Sequence, residues 1–180
     1  RNFKPQPVEE EKITKLLDIA RYAPTAGNSQ GLYYIVISDS ETIRKIADLT
    51  AEWMQKEIEV NSPHSRYFSN ILRTYNDRKI DIIARNAPQL IFACARKLNL
   101  TGVSNCEQAW SYAGLYAPTL GLGTTVAGFI QTCGIAGYEP LLELLDIPKK
   151  QQIVGTLMAG YPKYKYQRLV ERQHLKVEFR

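Results

Sequence analysis

Ala23-Pro24-Thr25-Ala26-Gly27-Asn28-Ser29-Gln30 is the stretch whose reading decides the rest. It places small residues, hydroxyls and two amides on a turn between a helical pattern and a strand-like run. Upstream, Ile13, Leu16, Leu17 and Ala20 keep the i, i+3, i+4, i+7 spacing of a helix over Val8 to Tyr22. Pro5 and Pro7 precede it and Pro24 ends it, because proline offers no backbone N–H to continue the ladder. Downstream, Leu32 to Ile37 (LYYIVI) is rich in β-branched and aromatic residues, as a buried strand is. Small residues let the backbone approach a flat ligand, and Asn28 and Gln30 supply both donors and acceptors. Composition alone reads the same turn as a helix stop.

Further along, Ser38 and Glu41 have capping-box spacing, so a second helix is expected near Ser40, with Ile43, Ile46, Ala47, Trp53 or Met54, and Ile58 on its core face. Asn61 to Arg66 reads as a loop, and Phe68, Ile71, Leu72 and Tyr75 as another helix. A strand is expected over Leu90 to Ala95. A helix starting near Ser104 or Asn105 carries Ala109, Tyr112, Ala113 and Tyr116, and Pro118 breaks it. Gly121 to Gly123 form a turn before a run over Thr125 to Ile130, then a short helix over Glu139 to Leu145 and a strand over Ile153 to Ala159. The last 20 residues read as an extended arm, strand-like at Val177 and Phe179. Helices alternating with short strands predict a single α/β or α+β domain over 1–180.

Composition removes several classes of function. The 180 residues are 44% hydrophobic, enough for a core. No segment reaches the roughly 18 apolar residues of a membrane helix. The start is polar and unlike a signal peptide, and it lacks Met, so further residues are expected upstream. Cys94, Cys106 and Cys133 are scattered and odd in number, which fits reduced thiols in a cytoplasm. His64 and His174 form no metal-ligating pattern. The net charge of +5 is spread among acids, so it predicts a solvated surface with a few anion-binding positions and no nucleic-acid partner. Gly121-Leu122-Gly123 leads to Val126 where a dinucleotide fingerprint needs Gly, and no P-loop Lys follows. With no conventional protein nucleophile in view, a cofactor is expected to carry the chemistry.

The turn resembles the nitroreductase motif A-P-S/T-x-x-N-x-Q. Arg1-Asn2-Phe3 with Pro5 and Pro7-Val8 resembles the end of that family's opening R-S-x-R-x-F-x-x-x-P-V. Gly121-Leu122-Gly123 with Gly128-Phe129 is similar to G-L-G-x-x-x-x-G-F, and Leu157 to Pro162 (LMAGYP) to L-x-x-G-Y-P. These motifs stand in the family's order and cover nearly the whole chain.

The resemblance implies an α+β fold with a mostly antiparallel sheet flanked by helices, and an intertwined homodimer with two FMN sites at its interface. Arg1 and Arg172 would grip the FMN phosphate, since guanidinium matches phosphate bidentately. Pro24, Thr25, Ala26, Asn28 and Gln30 would reach the flavin of the partner subunit. Thr125, Val126, Ala127 and Gly128 would run along the ring edge, their N–H groups near N5. A cation near N1 and O2 would stabilise reduced flavin. Arg78, Lys79 and Arg85 are the candidates, although as charges they read as a solvated helix face. NADH or NADPH would pass hydride to the flavin and depart before a nitroaromatic or quinone is reduced. A ferredoxin-like donor and a non-catalytic FMN-binding protein are the alternatives. The family's dehalogenating subgroup sets a Glu four residues before a Tyr, which neither Glu57 nor Glu59 matches. The donor-facing surface is expected over Trp53 to Ile71, as a mobile lid. The chain departs from the family in lacking the upstream Arg and Ser of the opening, and in having Pro118 where a helix usually continues.

Overall fold

Alternation along the strands assigns each helix to one side of the sheet. The computed structural model describes residues 2–168 and 170–180. Its elements are α1 (Glu10–Ala20), β1 (Tyr33–Ile37), α2 (Ser40–Glu59), α3 (Ser65–Asn76), β2 (Gln89–Arg96), α4 (Gly102–Tyr116), β3 (Gly123–Val126), α5 (Gly128–Ile135), α6 (Glu139–Leu144) and β4 (Gln151–Gly160). The four strands form one sheet in the order β1-β2-β4-β3, with every pairing antiparallel. Successive side chains of a strand point to opposite faces. Leu90, Phe92 and Cys94 of β2 therefore pack with α2, α3, α5 and α6. Ile91, Ala93 and Ala95 pack with α1 and α4.

The central strand β2 is buried on both faces up to its last residue. In β1 every residue is at least partly accessible, because it is an edge strand, which corrects the expectation of full burial. A register shift opposite Ala93 and Cys94 bulges β4. There a Cβ on Gly155 would stand 2.2 Å from Cys106 Sγ and 2.7 Å from Trp110 Nε1, so the missing side chain lets α4 lie against β4.

Sequence and structure differ at two further elements. The run over Thr125 to Ile130 is no single strand: β3 ends at Val126, Ala127 turns the chain, and α5 begins at Gly128. The cap of α2 is Asp39, one residue past the predicted Ser38. Its carboxylate accepts from Thr42 N–H at 2.7 Å and from the Thr42 hydroxyl at 2.6 Å. Those bonds hold the Asp39 carboxyl below its ordinary value of 3.8. A depressed folded-state pKa gives stability above the unfolded value that is lost as pH falls through the folded one. Asp39→Ala is therefore expected to lower Tm by a few degrees near neutral pH. Against wild type, that difference should fade below about pH 4. Thermal melts of both proteins across this range check it, and a gap that persists unchanged at the acid end would refute the cap.

Cys94, Cys106 and Cys133 are free and buried, and burial pushes their thiols up to about 11, 12 and 12. They are inert packing residues. Among the described residues no helix is long and apolar enough to cross a membrane, and no cluster of metal-ligating side chains forms. After Pro162 the described tail forms neither helix nor strand. It leaves Leu175 88% and Phe179 92% exposed.

Candidate functional site

The predicted residues fall into two groups, one where β3 passes into α5 and one on the turn after α1. The first group is the floor of a cleft of about 400 Å³ beside Val126, Gly128 and Phe129. Val126 is carried there by pairing with β4, opposite Leu157. Val126 is 48% exposed, an unusual setting for an apolar strand residue. A Cβ built on Gly128 meets nothing within 4 Å, so its missing side chain leaves open, flat surface. Opposite stand His64, just before α3, and Tyr67 and Phe68 within it, with the Tyr67 and Phe129 rings 5.9 Å apart. Thr125 lies on the other side of β3, in a second cleft with Glu107, Ser111 and Leu115 of α4.

Ala127 departs from expectation. It is fully buried and its N–H donates to Thr156 C=O at 2.9 Å, so that amide has no second bond to give a ligand. The N–H groups opening α5, from Gly128 onward, lack an i−4 partner within the helix and are the ones at the cleft.

Arg85 also lines the cleft. It sits in a turn where Arg85 and Asn86 both take left-handed backbone, φ +55° and +51°. Non-glycine residues pay for that conformation. The Asp81 carboxylate holds the turn by accepting from Ala84 N–H at 2.8 Å and Asn86 N–H at 2.7 Å. Lys79 faces a separate cleft with Arg44 and Asp48, and Arg78 stays exposed. None of the three lies on a helix, which corrects the reading of a charged helix face. The lid expectation narrows in the same way. Trp53 and Met54 are core residues, 7% and 0% exposed, and His64 and Tyr67 alone of that stretch's aromatics are left near the surface.

The second group is the turn after α1. Ala26–Asn28 forms one 3-10 turn in which Gly27 and Asn28 adopt φ +59° and +53°. Gln30 follows at φ +47°. Thr25 Oγ1 accepts from Gln30 N–H, and Asn28 Oδ1 accepts from Gln30 Nε2, each at 3.1 Å. The Thr25 proton and the Asn28 amide protons are left as donors. Thr25 and Gln30 border a cleft of about 470 Å³ with Leu32, Tyr34 and Asn105. Pro24 is exposed beside them.

The chain ends meet at the other side of β3. Phe3 bridges to Pro162, Lys4 N–H donates to Tyr161 C=O at 2.8 Å, and Lys163 N–H donates to Asn2 C=O at 2.9 Å. Lys12 donates to the Tyr161 hydroxyl, which donates to the Glu9 carboxylate. Arg1 lies outside the described residues. Arg172 is exposed on the tail, and no described hydrogen bond or ion pair holds it.

Asn105 escaped the sequence reading. It is a polar residue 3% exposed, and it bonds the turn from α4: its Oδ1 accepts from Ala26 N–H at 3.1 Å. Nothing in a helical pattern distinguishes it from a solvent-facing Asn.

Residues 1–161 match the family model described as Nitroreductase family. The chain belongs to the nitroreductase family. It is 24% identical over 164 residues to the FMN reductase [NAD(P)H] of Bacillus subtilis (strain 168), covering 90% of this chain and 61% of that protein. Over 168 residues it is 27% identical to an Archaeoglobus fulgidus protein named for NADH dehydrogenase or NAD(P)H nitroreductase activity, covering 91% of this chain and 79% of that one. Two nitroreductase crystal structures with bound FMN share the fold. That from Desulfitobacterium hafniense has a TM-score of 0.75 at 16% identity, over 99% of this chain and 92% of its own. That from Bacteroides fragilis has a TM-score of 0.74 at 13% identity, over 98% and 91%. The fold of the nitroreductase family is thus carried by four strands and six helices in this chain.

Proposed function

We propose that the chain is a cytoplasmic FMN-dependent oxidoreductase that moves electrons from NADH or NADPH to a small conjugated acceptor, a nitroaromatic or a quinone. The open floor at Gly128, walled by aromatic rings and Arg85, carries this reading. It suits a flat ring, and the small residue is what lets the backbone approach one. The names of the Bacillus and Archaeoglobus relatives support NAD(P)H as donor. Bound FMN would supply the hydride and electron transfer that no side chain here supplies.

The chain's own residues do the rest. Val126 and Gly128 seat the ring. Tyr67 and Phe129 keep water from it. Arg85 places positive charge at a ligand that becomes more negative on reduction, the arrangement that electrostatic stabilisation requires. Arg1 and Arg172 are assigned to the phosphate.

We also assign the site to two copies of the chain. The Ala26 turn, held by Asn105, borders one cleft and the Gly128 floor another, and the two share no lining residue. A two-fold beside α4 would bring the turn of one copy to the floor of the other. The exposed Val103, Tyr112 and Leu115 of α4 and the apolar tail residues support such a partner. Residues 1–180 then act as a single flavin-binding domain.

Purified protein is expected to bind about one FMN per chain, to sediment as a dimer, and to be bleached anaerobically by NADH or NADPH. Failure to take up FMN would sink the proposal. Bleaching by a reduced ferredoxin-type donor and by neither nucleotide would replace the donor. FMN uptake without turnover by any donor would leave a binding protein.

A further inference from the structure

We infer that Asn105 is a positioning residue for the flavin site: through its side chain, α4 holds the Thr25–Gln30 turn in the shape that presents Thr25 and Asn28. The inference rests on the proposal that this turn meets FMN.

The turn's own bonds, such as Asn28 N–H to Thr25 C=O and Ser29 N–H to Ala26 C=O, leave its Ala26 amide unserved. Thr25 occupies its N-cap position, yet makes no side-chain cap hydrogen bond there. The first N–H groups of a helical turn have no internal partner. The one at Ala26 finds Asn105 Oδ1 at 3.1 Å, on a helix 79 residues away in sequence. Asn105 Nδ2 donates to Ser29 Oγ and Thr101 Oγ1, each at 3.3 Å. The Thr101 hydroxyl donates in turn to Asn99 Oδ1 at 3.0 Å. One buried amide thus grips the turn at both ends, at Ala26 and at Ser29.

The grip has a chemical consequence for the residues between. While Asn105 holds the Ala26 amide, the Thr25 hydroxyl accepts from Gln30 N–H and keeps its proton for a ligand. Gly27, Asn28 and Gln30 all lie at positive φ, a conformation that costs free energy at the two non-glycine positions and relaxes when its restraints go. Removing Asn105 leaves the Ala26 amide without its acceptor, and the turn is then expected to unwind. Thr25 and Asn28 would then lose the geometry in which both can donate at once.

The test measures FMN binding by fluorescence quenching at a temperature where every protein is folded. Asn105→Ala is expected to weaken FMN about tenfold. Hydrogen exchange should show the amides of residues 26–30 opening while those of β2 and β4 stay protected. Asn105→Asp keeps an acceptor for Ala26 N–H and should fall between Ala and wild type. Thr50→Val removes a different buried bond, the 2.8 Å one from Thr50 to Ile46 C=O in α2, and serves as a control for destabilisation alone. It should melt earlier and bind FMN as wild type does.

Asn105→Ala binding within twofold of wild type would overturn the inference, as would an equal loss in Thr50→Val. Should Asn105→Ala not fold, Asn105→Asp decides: wild-type affinity together with wild-type exchange in the turn overturns it. A wild-type protein that takes up no FMN overturns the cofactor proposal and this inference with it. Normal uptake with an indifferent Asn105 overturns this inference alone.

Discussion

Gly128→Val is expected to leave the protein without flavin a little more stable than wild type, while weakening FMN tenfold to a hundredfold. The two effects have opposite signs for separate reasons. At Gly128 the backbone is that of an ordinary helix start, and a Cβ meets nothing within 4 Å. Valine is therefore not strained in the fold. Replacing glycine where the new residue fits restricts the unfolded chain and stabilises by about 0.4–1 kcal/mol. For a chain of this length that raises Tm by at most about 4 °C. The branched side chain then fills the floor beside Val126. Forcing a ring off a fitted surface costs about 1–3 kcal/mol, and each 1.4 kcal/mol is tenfold in affinity. Melting curves without flavin and quenching titrations with it check both halves. Unchanged FMN affinity would show that the ring lies elsewhere.

The second large effect is expected at the phosphate. Arg172→Ala should weaken FMN by roughly tenfold to a hundredfold and riboflavin hardly at all. Losing one partner of a charge-assisted pair costs about 1.5–3 kcal/mol, and riboflavin has no phosphate to lose. Lysine should restore only part, because it cannot form the two-pronged contact of guanidinium. In this structure Arg172 is exposed and held by no described bond, so its removal has no evident folding cost. Parallel titrations with the two flavins decide the point. Equal losses for both would assign Arg172 to the dimer, and no loss for either would make it a surface arginine and move the clamp to Arg1 or to Arg168.

The two results depend on features that differed in how far the sequence revealed them. The apolar spacing of α1 and the short apolar run of β2 follow directly from the sequence pattern, because tertiary packing there reinforces it. Thr125 to Ile130 misled, since an apolar run reads alike as strand or buried helix. Ala127, at φ −84° and ψ 65°, breaks it just before Gly128, and a lone Gly reads equally as a bulge within a strand. The cap of α2 falls one residue from the expected Ser38: the Asp39 carboxylate accepts from Thr42 N–H, the amide three residues on. Site residues became visible only through family resemblance, since small residues and amides on a turn carry no chemistry of their own. Arg85 could be separated from Arg78 and Lys79 only when the turn held by Asp81 showed which of them faces the cleft. Asn105 stayed hidden because its burial comes from a segment 79 positions away.

The register of α4 has a bearing on how this chain can change over evolutionary time. The helix carries both Asn105, which holds the Ala26 turn, and the Glu107, Ser111 and Leu115 face of the cleft at Thr125, so the proposed site depends on that register. Inserting or deleting one residue would swing everything beyond it by about 100° and shift it by about 1.5 Å. Either change would spoil two sites at once in a symmetric pair. Insertions should therefore collect in the turn between α6 and β4, none of whose residues lines either cleft. The 15 residues of α4 should be exchanged one for one.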